Sequence, residues 1–123
     1  MPFLIQWESK GVYTKYWGEL TREEFMEASE AKRLDPRTSI CEYSINDFLE
    51  VKSIDITKYD VLLLAHKDYV TEAIKRSNKI AHVIDNARFQ ELSHTYEVSP
   101  LIKDTFQVRM FSNMNDARAW INA

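Results

Sequence analysis

Short β-type runs alternate with amphipathic helical stretches along this chain, and that alternation restricts it to an α/β architecture built from crossovers between strands. No glycine-rich phosphate loop, metal-ligand spacing or marked nucleophile interrupts the pattern, so the residues point to a binding or signalling module before an enzyme. The 123 residues suffice for a single domain, 1–123, with a core of its own. With 2 glycines and 3 prolines there is no linker or low-complexity stretch to divide it. A net charge of -3 and the lack of long Lys/Arg runs argue against a nucleic-acid partner.

The first two runs, Phe3 to Glu8 and Val12 to Trp17, flank Ser9-Lys10-Gly11 and read as a hairpin whose glycine supplies a positive φ. Thr21-Arg22-Glu23-Glu24 is a capping box that opens a helix. Phe25, Ala28, Ala31 and Lys32 mark the inner face of that helix, and Asp35-Pro36 ends it. Ser39 to Asp47 is the next strand, carrying Cys41, Tyr43 and Ile45 on one face, and Phe48 to Asp55 reads as an apolar loop lying on the core.

A long helix over 57–76 follows, with Tyr59, Leu62, Leu63, His66, Val70, Ala73 and Ile74 on its inner stripe. Val61, Leu64 and Tyr69 fall outside the stripe and are candidate interface residues, for a partner protein or a homodimer. Lys79 to Asp85 is nearly continuously apolar, as a central strand covered on both faces would be. A helix from Asn86 to Tyr96, a break at Ser99-Pro100, a strand from Phe106 to Phe111 and a helix capped by Ser112 complete the chain. The last helix turns Met114, Ala117, Trp120 and Ile121 inward. The order is ββαβαβαβα: a mixed five-stranded sheet with about four helices, the N-terminal strand antiparallel at one side and the rest parallel.

Several segments together carry a resemblance: Gly11-Val12-Tyr13, Tyr16-Trp17-Gly18-Glu19-Leu20-Thr21, Asp35-Pro36-Arg37, Asp47-Phe48, Lys79-Ile80-Ala81-His82-Val83, Phe106 to Phe111 and Asp116 to Trp120. They resemble the SpoIIAA-like group of STAS domains, the fold shared by anti-anti-sigma factors and the cytoplasmic tails of sulfate transporters. The resemblance spans essentially the whole chain and implies a (βα) superhelix that binds proteins, nucleotides or apolar ligands without turnover. It also implies a phosphoacceptor at the start of the helix after the third strand, where the anti-anti-sigma branch has Asp-Ser-Ser-Gly. Here that stretch is Ser53-Ile54-Asp55-Ile56-Thr57-Lys58, with Thr57 at the acceptor's place, isoleucine for the neighbouring serine and lysine for the glycine.

Thr57, and less so Ser53, are therefore candidate phosphoacceptors, against the plain reading of Thr57 as a helix cap. Asp47 and Asp85 read as the ends of adjacent parallel strands, the edge where open sheets bind ligands, so Asp47, Phe48, Asp55, Asp85 and Asn86 are candidate ligand-edge residues. Helix starts near Gly18, Asp55 and Asn86 would open toward the same edge. As an enzyme, the chain would have to use Asp47 and Asp85, although capping and loop bracing explain both. His66, His82 and His94 build no zinc spacing, and Cys41 reads as an inert strand residue, so no metal and no cofactor are expected. The fifteen aromatic residues could line a cavity for a small apolar, lipid-like ligand, with 48–54 as its lid. The start lacks a basic segment before an apolar one, and no apolar run nears the about 20 residues that span a bilayer, which gives the expectation of a cytoplasmic protein without a transmembrane segment.

Overall fold

The computed structural model describes residues 2–72 and 79–123. The expected Ala73 and Ile74, and the end of the helix at 76, lie outside them. A five-stranded sheet runs β1 (Phe3–Trp7), β2 (Gly11–Leu20), β3 (Tyr43–Ile54), β4 (Lys79–Val83), β5 (Gln107–Phe111), in that spatial order. β1 is antiparallel to β2, and every other pairing is parallel. The helices are α1 (Arg22–Leu34), α2 (Lys58–Glu72), α3 (Ala87–Val98), the short α4 (Pro100–Lys103) and α5 (Met114–Ile121).

Strand alternation divides the apolar residues between two layers. One face packs Tyr16, Phe48, Ile80 and Val108 against Phe25 and Ala28 of α1, Val61 and Ala65 of α2, Phe89 and Tyr96 of α3, and Ile102 of α4. The other face, with Ile45, Ala81 and Val83, is covered by Ala117 of α5 and its neighbours Met114, Trp120 and Ile121. Ala28, Ala65 and Ala117 are each 0% exposed. Their small side chains let the helix backbones approach, and a larger residue there would force them apart.

Local chemistry accounts for most boundaries. The Thr21 hydroxyl accepts from the Glu24 amide at 3.1 Å while Glu24 reaches back to the Thr21 N–H at 3.2 Å, so the expected capping box is formed. Lys32 does turn inward, but Ala31 is exposed. Asn86 and Asn113, in place of Asp85 and Ser112, cap α3 and α5 through their side-chain oxygens. Gly11 is not needed for a positive φ: the Tyr43 ring lies where its Cβ would be. The left-handed glycine is Gly18, at φ 69.

The largest departure is the third strand. Residues Pro36–Ile40 form a 3-10 turn, with Asp35 accepting from the Arg37 amide at 2.8 Å, so Cys41 caps that turn instead of entering a strand. β3 then runs without a break through 48–54, where a loop and lid were expected. The reason is a doubly bulged pairing with β2. β3 advances three residues, from Asp47 to Glu50, while β2 advances two, from Lys15 to Trp17, and it gains another residue between Val51 and Ser53. Each bulge breaks the two-residue alternation, so Phe48, Val51 and Ile54 all reach the same core. β3 is also the middle strand, with β4 between it and β5.

α2 presents the opposite face from the one its spacing suggests. Val61 and Ala65 are buried and Leu64 is half-buried, whereas Tyr59, Leu62, Leu63, His66 and Val70 face solvent. The helix is apolar nearly all round, so its orientation is set by tertiary contacts: Ala65 against the core, and Asp68 held by Arg33 at 3.1 Å and by the Tyr96 hydroxyl at 2.8 Å.

Candidate functional site

Alternation along β2, β3 and β4 sends Tyr16, then Asn46 and Phe48, then His82 to the face beneath α1, α2 and α3. Between sheet and helices lies a cavity of about 170 Å³. An unbroken run of rings forms its wall. Phe25 and Tyr16 are 5.8 Å apart, Tyr16 stacks on Phe48 at 4.8 Å, Phe48 meets His82 edge-on at 6.2 Å, and His82 and Tyr96 are 5.5 Å apart. Leu64, Leu92 and Phe106 add to its apolar lining.

Two cationic residues, Lys32 and Arg33, line this apolar space. Lys32 follows Ala28 by one helical turn on the inner stripe of α1, which carries its amine into the cavity. Its Nζ donates to Asn46 Oδ1 at 2.9 Å and lies 5.8 Å from the centre of the Tyr16 ring, with the Tyr16 hydroxyl at 3.5 Å. Among the described residues, it makes no ion pair. Burial pushes the amine down to about 8; the charge of Asp68 opposes this and that of Arg33 adds to it.

Several of the other polar groups of the wall pair with one another, while Arg33 Nε is buried without a hydrogen-bond partner among the described residues. His82 Nδ1 lies 2.8 Å from Ser93 Oγ, and burial, assisted by the charge of Lys32, pushes the ring down to about 4, so it is neutral at physiological pH. Burial raises the Asp68 carboxyl, against the hydrogen bonds from Tyr96 and Arg33. The Tyr16 hydroxyl is also raised by burial. Arg33 is shared between Asp68 and Glu30, at 3.1 and 2.8 Å.

The candidate edge residues are not gathered into one site. Phe48 lines the cavity, but Asp47 faces the opposite side of the sheet, 7% exposed, accepting from the Tyr13 hydroxyl at 2.6 Å and the Leu49 amide at 3.1 Å. Asp47 is level with Val83, where β4 ends, so Asp47 and Asp85 do not terminate neighbouring strands side by side. Asp55 and Asp85 are exposed, and Asn86 caps α3 with its side-chain oxygen. Gly18 lies within β2, away from the helix start at Arg22. The Tyr13 hydroxyl is raised, by burial first and then by Asp47.

Thr57 caps α2. Its hydroxyl accepts from the Asp60 amide at 3.3 Å and donates to the Asp60 carboxylate at 3.1 Å, and Arg22 holds that carboxylate at 2.7 Å. Ser53 is exposed on β3, paired with Glu19. Of the candidate interface residues, Val61 is buried and Leu64 lines the cavity, which leaves Tyr69 partly exposed. Cys41 lines the cavity just before the start of β3 and donates to the Arg37 carbonyl at 3.5 Å. His66 and His94 are exposed on separate helices. Among the described residues, no group of three His, Cys, Asp or Glu side chains could hold a metal ion. Among them too, no helix is long and apolar enough to cross a membrane.

The residues that sequence reasoning missed as a site are Lys32, Asn46, Asp68 and Tyr96. Only Lys32 carried a signal, as a charged residue on an apolar helix stripe.

No protein-family model matches the chain, and no curated protein matches it. Solved structures share its architecture, among them the following two. One is an uncharacterised DUF3478-family protein with a SpoIIAA-like fold from Shewanella loihica PV-4, 16% identical, with a TM-score of 0.62 over 97% of this chain and 93% of that one. The other is the anti-sigma factor antagonist SpoIIAA in its unphosphorylated form, 10% identical, with a TM-score of 0.63 over 98% of each chain. The sheet order, the antiparallel first strand and these two likenesses give the chain a SpoIIAA-like fold.

Proposed function

We propose that this chain is a non-catalytic binding module that takes a small, largely apolar molecule into the cavity between its sheet and α1 to α3. The observation that carries the reading is the cavity itself, about 170 Å³ behind a continuous wall of aromatic rings. An apolar cavity of about 150 Å³ is enough to admit benzene. Catalysis by Asp47 and Asp85 gains no support, because each sits in a different setting. The test is native mass spectrometry of protein purified from its own host. A mass increment that disappears on denaturation is expected, and its repeated absence would count against the reading.

A second reading draws on the outer face of α2, where Tyr59, Leu62, Leu63 and Val70 are exposed. This surface supports association with a second copy of the chain through a self-complementary apolar face. SpoIIAA, as an antagonist of an anti-sigma factor, works on another protein, and a cytoplasmic regulatory role of that kind fits this chain as well. Light scattering checks the dimer: Leu62→Lys with Leu63→Glu is expected to abolish it, and a monomer at high concentration in the wild type would exclude it. A phosphate on Thr57 would sit against the Asp60 carboxylate, so a switch at this position would have to draw Arg22 away from Asp60.

A further inference from the structure

The cavity has a polar end lined by Lys32, Arg33 and Asp68. Lys32 brings an ammonium into it, and among the described residues no carboxylate pairs with that charge. Its surroundings can be taken element by element. From α1 itself comes Arg33, whose two terminal nitrogens are divided between Glu30 and Asp68 while its Nε has no partner among the described residues. From α2 comes Asp68, bound by Arg33 and Tyr96. β2 offers the Tyr16 phenol, β3 the neutral Asn46 and β4 the His82 ring, engaged with Ser93 of α3. The Asp68 carboxyl, which lines the same cavity, is therefore held by Arg33 and Tyr96, and the amine rests on neutral oxygen atoms.

A buried charge without a contacting counter-ion is costly, and a ligand carboxylate would supply the contact that Lys32 lacks. The neighbouring groups suit a carboxylate. Asn46 uses its oxygen on Lys32, which leaves its amide N–H groups to donate, and the Ser44 hydroxyl lines the same cavity. An ammonium and an amide side by side supply charge-assisted hydrogen bonds to the two oxygens of a carboxylate.

Taking the cavity as a ligand site, as proposed above, we infer that its ligand is a small apolar monocarboxylate whose carboxylate pairs with Lys32 and Asn46 while its hydrocarbon body lies among Phe25, Phe48, Leu92 and Phe106. Size narrows the class. At about 170 Å³ the cavity exceeds a benzene-binding one of about 150 Å³ by little, so the part of the ligand it encloses has the size of an arylacetate or a short branched fatty acid.

The test compares three probes of similar shape, phenylacetate, phenylacetamide and ethylbenzene, titrated by calorimetry at pH 7 into the wild type and Lys32→Met. In the wild type, phenylacetate is expected to bind at least about tenfold more tightly than the amide. In Lys32→Met that preference disappears while ethylbenzene binding is retained. If the amide binds the wild type as tightly as the acid, the inference is wrong, whether or not the variant folds. Ethylbenzene binding without phenylacetate binding would leave the apolar cavity standing and remove only the carboxylate. Failure of all three would remove both.

Discussion

Replacing Lys32 with methionine is expected to stabilise the empty protein at neutral pH, which is unusual for a substitution that removes a hydrogen bond. The folded chain holds this amine at about 8, against an ordinary 10.5. At about 1.4 kcal/mol for each tenfold change in proton affinity, keeping it charged at pH 7 costs folding about 3 kcal/mol. Methionine has a similar reach, a flexible apolar body and no charge to desolvate. Its cost is the Asn46 oxygen left without the donor now at 2.9 Å, about 1 to 2 kcal/mol. The net expectation is a gain of about 1 to 2 kcal/mol at pH 7.

The sign reverses with pH. Between about 8 and 10.5 the unfolded chain holds a proton that the folded chain has shed, so wild-type stability rises with pH across this window. The penalty is complete below about 8 and gone above 10.5, where only the lost Asn46 bond separates the two proteins. Urea denaturation of both at pH 7 and pH 10, read as midpoints at equal slope, measures this directly. A variant less stable than the wild type at pH 7, or a difference that ignores pH, would refute the reasoning. The same residue would then be a structural hydrogen bonder and not a charge held for a ligand.

Two further substitutions probe the neighbourhood. The His82 ring is pushed from 6.5 to about 4, so the unfolded chain takes up a proton across that window before the folded chain does, and up to about 3 kcal/mol of stability is lost as pH falls through it. His82→Gln should flatten this acid limb in a pH series of urea midpoints; an unchanged limb would mean that the ring is not the group responsible. Thr57→Ala should cost about 1 kcal/mol by removing the cap of α2, read as a lower urea midpoint, and no loss would mean that Asp60 and Arg22 hold the helix start without the threonine.

What could be read from the residues was local. The Thr21 to Glu24 capping box, the hairpin and the apolar run at Lys79 each depend on neighbours within a few positions, and each appears in the structure. β3 could not be read beyond Asp47, because its bulges against β2 put Phe48, Val51 and Ile54 on one face and so erase the alternation that marks a strand. α2 offered two apolar stripes, and the choice between them rests on Arg33 and Tyr96 reaching Asp68 from 35 and 28 positions away. The cavity is a property of the assembled layers. Asp47 and Asp85 stood out as carboxylates near strand ends, but register separates them, while Lys32 lay on the expected inner stripe as the one residue whose charge contradicted its place.

The claim that the space between the sheet and α1 to α3 is a binding site is tested most directly by nuclear Overhauser contacts between protein protons and ethylbenzene at saturating concentration. Contacts to Phe25, Phe48, Leu92 and Phe106 are predicted, with none to the outer face of α2. Contacts confined to Tyr59, Leu62 and Leu63, or none anywhere, would contradict it.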